Sequence, residues 1–96
     1  MTFRFLPPAE TELLKGISYY SAISPELGSR FEQAVAEAVK SVAAHPERGA
    51  PRSGSTRRWL VKSFPFGVIY RASESEVLIV AIAHERKKPE YWAGRL

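Results

Sequence analysis

Positively charged side chains in "RRWLVKSFPFGVIYR", residues 57–71, are the groups in this sequence best placed to do chemistry. Successive side chains of a β-strand point to opposite faces, so Arg58 and Lys62 share one side of a strand and Arg57 lies on the other. Arg71, on the next strand, can lie near them. Solvated charges with buried stems are common on protein surfaces, but this group has almost no acidic neighbour in the sequence. We therefore expect a cationic surface for an anionic partner.

The charge is distributed unevenly along the chain. Residues 1–44 carry four basic and five acidic side chains, residues 45–71 carry six and one, and residues 72–96 carry four and four, so the net charges of −1, +5 and 0 add up to +4. A polyanion or an acidic protein segment is a suitable partner for the middle segment.

His84 ends an apolar run and is followed by Arg86 and, later, Tyr91. Such a set can cleave a phosphodiester, because a base removes the 2′-hydroxyl proton, an acid protonates the leaving oxygen and a cation stabilises the added negative charge. A single histidine at a strand end is better explained as a cap that bonds the backbone. With two distant histidines, no cysteine and no aspartate, neither a metal site nor a cofactor is expected.

The last stretch, "RKKPEYWAGRL", has too few apolar residues for a core element and is predicted to be a helical turn or a tail. Trp92 in this polar setting is a candidate anchor for a protein interface. Tyr91 and Arg95 lie beside it and are counted with it as candidate contact residues.

The elements that must position these residues follow from periodicity. "TFRFL" predicts a short strand, and a helix follows from Pro8. Its predicted buried stripe consists of Ala9, Leu13, Leu14, Ile17 and Tyr20. Ser24 and Pro25 begin a second helix that His45–Pro46 stops. Since few residues separate the helices, they should form an antiparallel hairpin.

Residues 45–56 have the composition of an exposed loop, and three strands are predicted after it, at 57–64, 66–72 and 76–84. "VLIVAIA" is apolar on both faces, which indicates a central strand. The predicted fold is α+β with the order β-α-α-β-β-β, in which the helical hairpin packs on one face of a small, mostly antiparallel sheet. The other face, which carries the cations, should remain open.

Length and composition limit the class of protein. The 96 residues are expected to form one domain over 1–96, and the absence of cysteine is compatible with a reducing compartment. No apolar run reaches the roughly 20 residues that a membrane span needs, and the first ten residues lack the long apolar stretch of a signal peptide. We therefore expect a cytoplasmic protein with no membrane partner.

Taken together, the segments "PPAETELLKGISYY", "PELGSRFEQAVAEAV", "HPERGAPR", "FPFGVIYR" and "AIAHERKKPEYW" resemble the RelE/ParE superfamily of type II toxin–antitoxin toxins. The resemblance covers nearly the whole chain, and its most specific parts are the last two segments. It implies a bacterial growth-inhibiting toxin, of the kind found in plasmid stabilization modules. It also implies a cognate antitoxin that forms a hetero-oligomer with the toxin and covers it with an acidic, partly disordered C-terminal segment.

The superfamily divides by target. ParE-like members bind DNA gyrase without being known as nucleases, and the Ala-rich second helix and the "FPFGVIYR" hairpin favour this branch. RelE-like members cleave mRNA in the ribosome, but their closely spaced lysines are represented here by Lys62 alone. A RelE-like catalytic set would comprise Arg57, Lys62, Arg71, His84, Arg86 and Tyr91. The residues expected to bind antitoxin or target are Arg57, Arg58, Lys62, Arg71, Arg86, Tyr91, Trp92 and Arg95. A basic nucleic-acid-binding module without a toxic role is the third interpretation.

Overall fold

The computed structural model describes all residues from 1 to 96 and shows two helices packed on a five-stranded mixed sheet. The elements are β1 (Thr2–Phe5), α1 (Pro7–Ile23), α2 (Pro25–Ala44), β2 (Ala50–Pro51), β3 (Thr56–Leu60), β4 (Phe66–Ala72), β5 (Glu76–His84) and a 3-10 turn (Ala93–Arg95). The strand order is β1-β5-β4-β3-β2; β1 runs parallel to β5 and the other neighbours are antiparallel. The predicted α+β fold and central position of β5 are confirmed, while the two-residue β2 was not predicted.

The helical hairpin is held by a cap and by close contact between its arms. The Ser24 side chain accepts a hydrogen bond from the Leu27 backbone N–H at 3.1 Å, which satisfies one free donor of the first turn of α2. Where the helices cross, Gly16 faces the ring of Phe31 so closely that a β-carbon at this position would clash with it. The two helices therefore approach more closely than residues with side chains would permit.

The main core lies between the helices and one face of the sheet. Phe31 is fully buried at its centre, and its ring lies 5.0 Å from those of Tyr20 and Phe66 and 5.2 Å from that of Phe64. The predicted stripe of α1 is wrong at Leu14, which is 57% exposed because it lies outside the contact with α2 and the sheet.

The opposite face of the sheet, called the second face below, is partly covered and not open as predicted. The C-terminal segment, residues 85–96, folds over it and buries Trp92 in a smaller cluster with Ile69, Leu78 and Ala81. The predicted helical turn is present at Ala93–Arg95, but the prediction that this stretch contributes nothing to a core is wrong, because a single tryptophan supplies enough apolar area to attach the segment. The segment covers β4 at Ile69 but does not reach the end of β3, where Leu60 is 66% exposed.

The third strand is shorter than predicted. It ends at Leu60 and not at 64, because Val61 and Phe64 turn back into the main core and Ser63 takes a left-handed backbone conformation with φ 71°. Lys62 therefore lies in a turn. Neither α1 nor α2 combines the length and the apolar character that a membrane-spanning helix requires.

Candidate functional site

The cationic residues predicted to form one surface are divided among three places. Arg58 lies opposite Ile69 on the second face, and Arg71 shares that face because its partner is Thr56, two residues before Arg58. Arg57 lies opposite Tyr70, on the helix side, where its Nη1 donates to the Gly49 carbonyl at 2.8 Å. The prediction of a single cationic surface that includes Arg57 is therefore wrong.

Lys62 also lies apart from Arg57, Arg58 and Arg71. It lies beyond the end of β3 in a shallow depression beside α2 that is also lined by Leu27, Arg30 and Glu37. The early end of β3 changes its position, since a residue in a turn does not continue the alternation of the strand. Of the four residues singled out between 57 and 71, only Arg58 and Arg71 share the second face.

Arg57 stabilises the loop between α2 and β2. Tyr70 donates its hydroxyl to the Pro46 carbonyl at 2.7 Å and accepts from the Gly49 N–H at 2.9 Å, so Tyr70 and Arg57 together fix the loop between α2 and β2. Burial raises the pKa of Tyr70 above its ordinary value, and its hydroxyl therefore stays protonated as the donor in this network.

Tyr91 and Arg95 belong to a network that we call the C-terminal clamp, centred on Glu12 of α1. The two terminal guanidinium nitrogens of Arg95, Nη1 and Nη2, each donate to the Glu12 carboxylate at 2.9 Å, and the Tyr91 hydroxyl donates at 2.6 Å. The same carboxylate accepts from the Ile82 backbone N–H at 3.0 Å. Since β1 pairs with β5 only as far as Ile79, Glu12 satisfies a strand donor that β1 does not reach.

The clamp determines the protonation of its members. Burial raises the pKa of Glu12, but hydrogen bonds from Arg95, Tyr91 and Ile82 and the charge of Arg95 outweigh burial, so the pKa is lowered overall. Burial, followed by the hydrogen bond to Glu12, raises the pKa of Tyr91 far above its ordinary value. Tyr91 is therefore fixed as a hydrogen-bond donor and is poorly suited to exchange protons near neutral pH.

Trp92, predicted to be an exposed anchor, is only 3% exposed and is part of the protein's own core. Arg86 is exposed, and its backbone N–H donates to His84 Nδ1 at 3.0 Å. That bond places the proton of a neutral His84 on Nε2, while the His84 ring packs edge-on against Phe66 at 4.9 Å. His84 thus lies at the end of β5 and bonds the backbone, as expected of a residue that caps the strand.

The largest depression is a groove of about 890 Å³ between α1 and the end of β5, called the apolar groove below. Tyr19 and Ile23 line it and are 65% and 61% exposed, and Phe66 forms part of its wall. Lys15 and Lys87 provide positive charge at the lining. Ile23 and Glu12 were not identified from the sequence as site residues. Their spacing with Tyr19, by seven and then four residues, places all three on one side of α1 and could have indicated a shared surface.

A second depression, of about 300 Å³, lies on the second face and is called the cationic cleft below. Its basic lining residues are Arg52, Arg58, Lys87 and Lys88, and its acidic ones are Glu85 and Glu90. A β-carbon at Gly67 would clash with the Arg58 guanidinium, so the glycine lets this side chain lie flat across β4. His84, Lys87 and Tyr91 line both depressions and form the ridge between them.

Comparison with known proteins agrees with this architecture. The profile of a family described as "ParE toxin of type II toxin-antitoxin system, parDE" matches residues 3–89. A solved structure described as the chromosomal ParDE TA system from P. aeruginosa is similar with a TM-score of 0.75 and 24% identity, over 88% of this chain and 95% of that chain. At this identity the likeness supports the fold alone. No curated protein matches the sequence.

Proposed function

Because the chain belongs to the ParE toxin family of type II toxin–antitoxin systems, we propose that it arrests bacterial growth by binding DNA gyrase and that a cognate antitoxin neutralises it. The family match over residues 3–89 is the observation that carries this proposal. The action is one of binding and needs no cofactor. The chain acts as one domain, in the cytoplasm, and pairs with its antitoxin in a hetero-oligomer.

The apolar groove is the surface that best fits the antitoxin. Tyr19 and Ile23 offer large, exposed apolar side chains, whereas Lys15 and Lys87 offer positive charge beside them. An amphipathic segment with acidic and apolar side chains complements both features, and it can fold as it binds. We therefore propose the side of α1, in place of the strands 57–71, as the surface that binds the antitoxin.

The geometry does not favour a RelE-like nuclease. Arg57 and Lys62 lie apart from His84. The Tyr91 hydroxyl already donates its hydrogen bond to Glu12. A nuclease needs its acid, base and cations around one phosphate, and the six predicted residues surround no common point. Among them, Arg71 and Arg86 remain candidates for contact with the target, together with Arg58.

Induced expression of the chain with and without the neighbouring open reading frame tests the proposed class. We expect growth arrest from the chain alone and normal growth when an acidic antitoxin is co-expressed. Arrest accompanied by altered DNA supercoiling and a DNA-damage response supports gyrase as the target. Rapid loss of translation with mRNA cut at codon positions would support the ribosome instead, and no arrest at all would contradict a toxic role.

Changing the apolar groove should separate antitoxin binding from folding. We expect the double variant Tyr19→Ala, Ile23→Ala to bind the antitoxin about 30-fold more weakly, since losing two anchors of an interface costs about 2 kcal/mol or more. Isothermal titration calorimetry measures this change. Leu14→Ala is the matched control, because Leu14 is similarly exposed on the same helix but does not line the groove. Equal affinities in the wild type and the double variant would place the antitoxin elsewhere.

A further inference from the structure

The second face carries positive charge that the protein itself does not neutralise. The structure contains two salt bridges, Arg4–Glu76 and Arg95–Glu12. None of the cations of the second face takes part in them. The lining of the cationic cleft contains four of these cations, Arg52, Arg58, Lys87 and Lys88, and two acidic residues, Glu85 and Glu90. Arg71 lies on the same face, outside this lining. The cleft therefore has an excess of positive charge, and because like charges repel one another, an anionic ligand on this face relieves that repulsion.

The cationic cleft offers a ligand charge but little apolar area. Ile69, Ala83 and Trp92, which lie at its floor, are 2%, 6% and 3% exposed. They already pack against one another and gain little from a further contact. An amphipathic peptide binds mainly by burying apolar side chains. The apolar groove, on the other side of the ridge, has the exposed apolar residues that such a peptide needs. The cleft is therefore suited to a ligand that is held by its charge.

From these observations we propose that the second face binds the sugar-phosphate backbone of double-stranded DNA. Guanidinium groups match the phosphate geometry with two parallel hydrogen bonds, and Arg58 lies flat on a rigid strand where such contacts are pre-organised. Duplex DNA also has the high density of phosphates that an array of cations requires. Binding of this kind fixes the protein on DNA without reading its sequence.

Two features favour duplex DNA over RNA and single strands. Single-stranded nucleic acids are held mainly by stacking on exposed aromatic rings, but Trp92 is buried and the Tyr91 ring is covered by Lys87 and Arg95 at 5.6 and 5.1 Å. Duplex RNA is recognised through its 2′-hydroxyls. The hydroxyl nearest to Arg58 along β3 is that of Thr56, which is buried and donates to the Ser53 carbonyl at 2.6 Å. This hydroxyl is therefore not free to bond a 2′-hydroxyl of RNA.

This inference is independent of the proposed target. A ParE-family toxin can inhibit gyrase with or without touching DNA, and a DNA-binding face can exist on a protein with another target. Binding of purified protein to DNA therefore tests the second face alone. Growth arrest and antitoxin affinity test the proposed function.

Fluorescence anisotropy with a labelled DNA duplex measures the binding directly. We expect the logarithm of the association constant to fall linearly with the logarithm of salt concentration. The variant Arg58→Ala, Arg71→Ala should bind about tenfold more weakly at about 0.1 M salt, and its salt slope should be shallower by about 1.8, or 0.9 for each lost phosphate contact. The control Arg30→Ala, Lys40→Ala removes the same charge from the exposed side of α2 and should leave the slope unchanged.

Several results would overturn the proposal. Equal losses in the two variants would show that only the net charge of the protein matters. Tighter binding of an RNA duplex, a single strand or a poly-glutamate peptide than of duplex DNA would assign the face to that ligand. Circular dichroism and thermal melting of both variants verify that they remain folded. Neither set of side chains is buried, so we expect unchanged melting curves.

Discussion

Glu12 is the residue that connects the two ends of the chain. Its carboxylate accepts hydrogen bonds from Tyr91 and Arg95, which follow it by 79 and 83 residues, and from the backbone of β5. A charged pair of this kind stabilises a fold when every donor and acceptor is satisfied, and no buried side-chain polar atom in the structure lacks a partner. The position of the C-terminal segment over the second face therefore depends on Glu12 of α1 as well as on the burial of Trp92.

Replacing that side chain should destabilise the protein. Glu12→Gln keeps the shape but removes the charge that Arg95 requires, so we expect the free energy of unfolding to fall by about 2 kcal/mol. Urea denaturation followed by tryptophan fluorescence measures the loss, since Trp92 reports on the segment that the clamp holds. Glu10→Gln, at an exposed position two residues earlier in the same helix, should change stability very little. Similar stabilities for both variants would mean that the clamp does not hold the segment.

The clamp also predicts a pH dependence. Because the folded state lowers the pKa of Glu12 below its ordinary 4.5, the carboxylate stabilises the protein fully above that value. The stabilisation is lost as the pH falls from 4.5 through the lowered pKa. We expect the wild type to lose stability more steeply than Glu12→Gln in this range, measured as the urea midpoint at a series of pH values. Parallel curves for the two proteins would be inconsistent with the clamp.

At the residue scale, the sequence indicated which side chains are special but not their roles. Tyr91 and Arg95 were expected to contact a partner, and Glu12 was not selected at all. Local periodicity shows which face of an element is apolar, whereas the pairing of residues at opposite ends of a chain depends on the tertiary fold. The candidate roles of Arg58, Arg71 and Arg86 in binding remain predictions.

At the scale of elements, the prediction from sequence was most successful where the pattern was strong. The second helix begins after Ser24 and ends before His45, as the capping residue and the His45–Pro46 stop predicted. The last two strands also match their predicted ranges of 66–72 and 76–84. The predicted end of β3 was wrong because Val61 continues the alternation of Trp59 and Phe64 adds a further apolar residue, although the chain has already left the sheet at these positions.

The contact between the helices gives a prediction about their packing. Gly16→Ala places a β-carbon against the Phe31 ring, which lies at the centre of the main core and cannot move freely. We expect overpacking to lower the free energy of unfolding by about 1–3 kcal/mol, as measured by thermal or urea denaturation. Gly94→Ala meets no atom within 4 Å and is the matched control. If Gly16→Ala were as stable as Gly94→Ala, α1 and α2 could move apart to fit the β-carbon without loss of stability, and the prediction would be wrong.

The C-terminal segment gives a second prediction at this scale. Trp92→Ala removes the largest side chain of the smaller cluster, and we expect a loss of about 3–5 kcal/mol. Leu96→Ala, at a position 49% exposed in the same segment, should have a small effect. Hydrogen exchange of the backbone of β5 would show whether the loss is local to the second face or spreads through the sheet. Exchange rates unchanged by Trp92→Ala would contradict the contribution of this segment to the core.

At the scale of the whole molecule, the fold separates two surfaces of different chemistry. The apolar groove, beside α1, exposes apolar side chains with positive charge at its lining, whereas the cationic cleft on the second face offers charge above a buried floor. Lys87 and Tyr91 belong to both linings, so a ligand that fills the groove reaches the edge of the cleft. An antitoxin in the groove can therefore obstruct the second face without covering it completely.

We propose that this chain inhibits DNA gyrase and that an antitoxin in the apolar groove reverses the inhibition. A supercoiling assay with purified gyrase, the wild-type chain and its antitoxin tests it most directly. We predict inhibition by the wild type, recovery on addition of antitoxin, and inhibition without recovery by Tyr19→Ala, Ile23→Ala at the same antitoxin concentration. Gyrase that supercoils DNA normally in the presence of a chain that arrests growth would contradict the account.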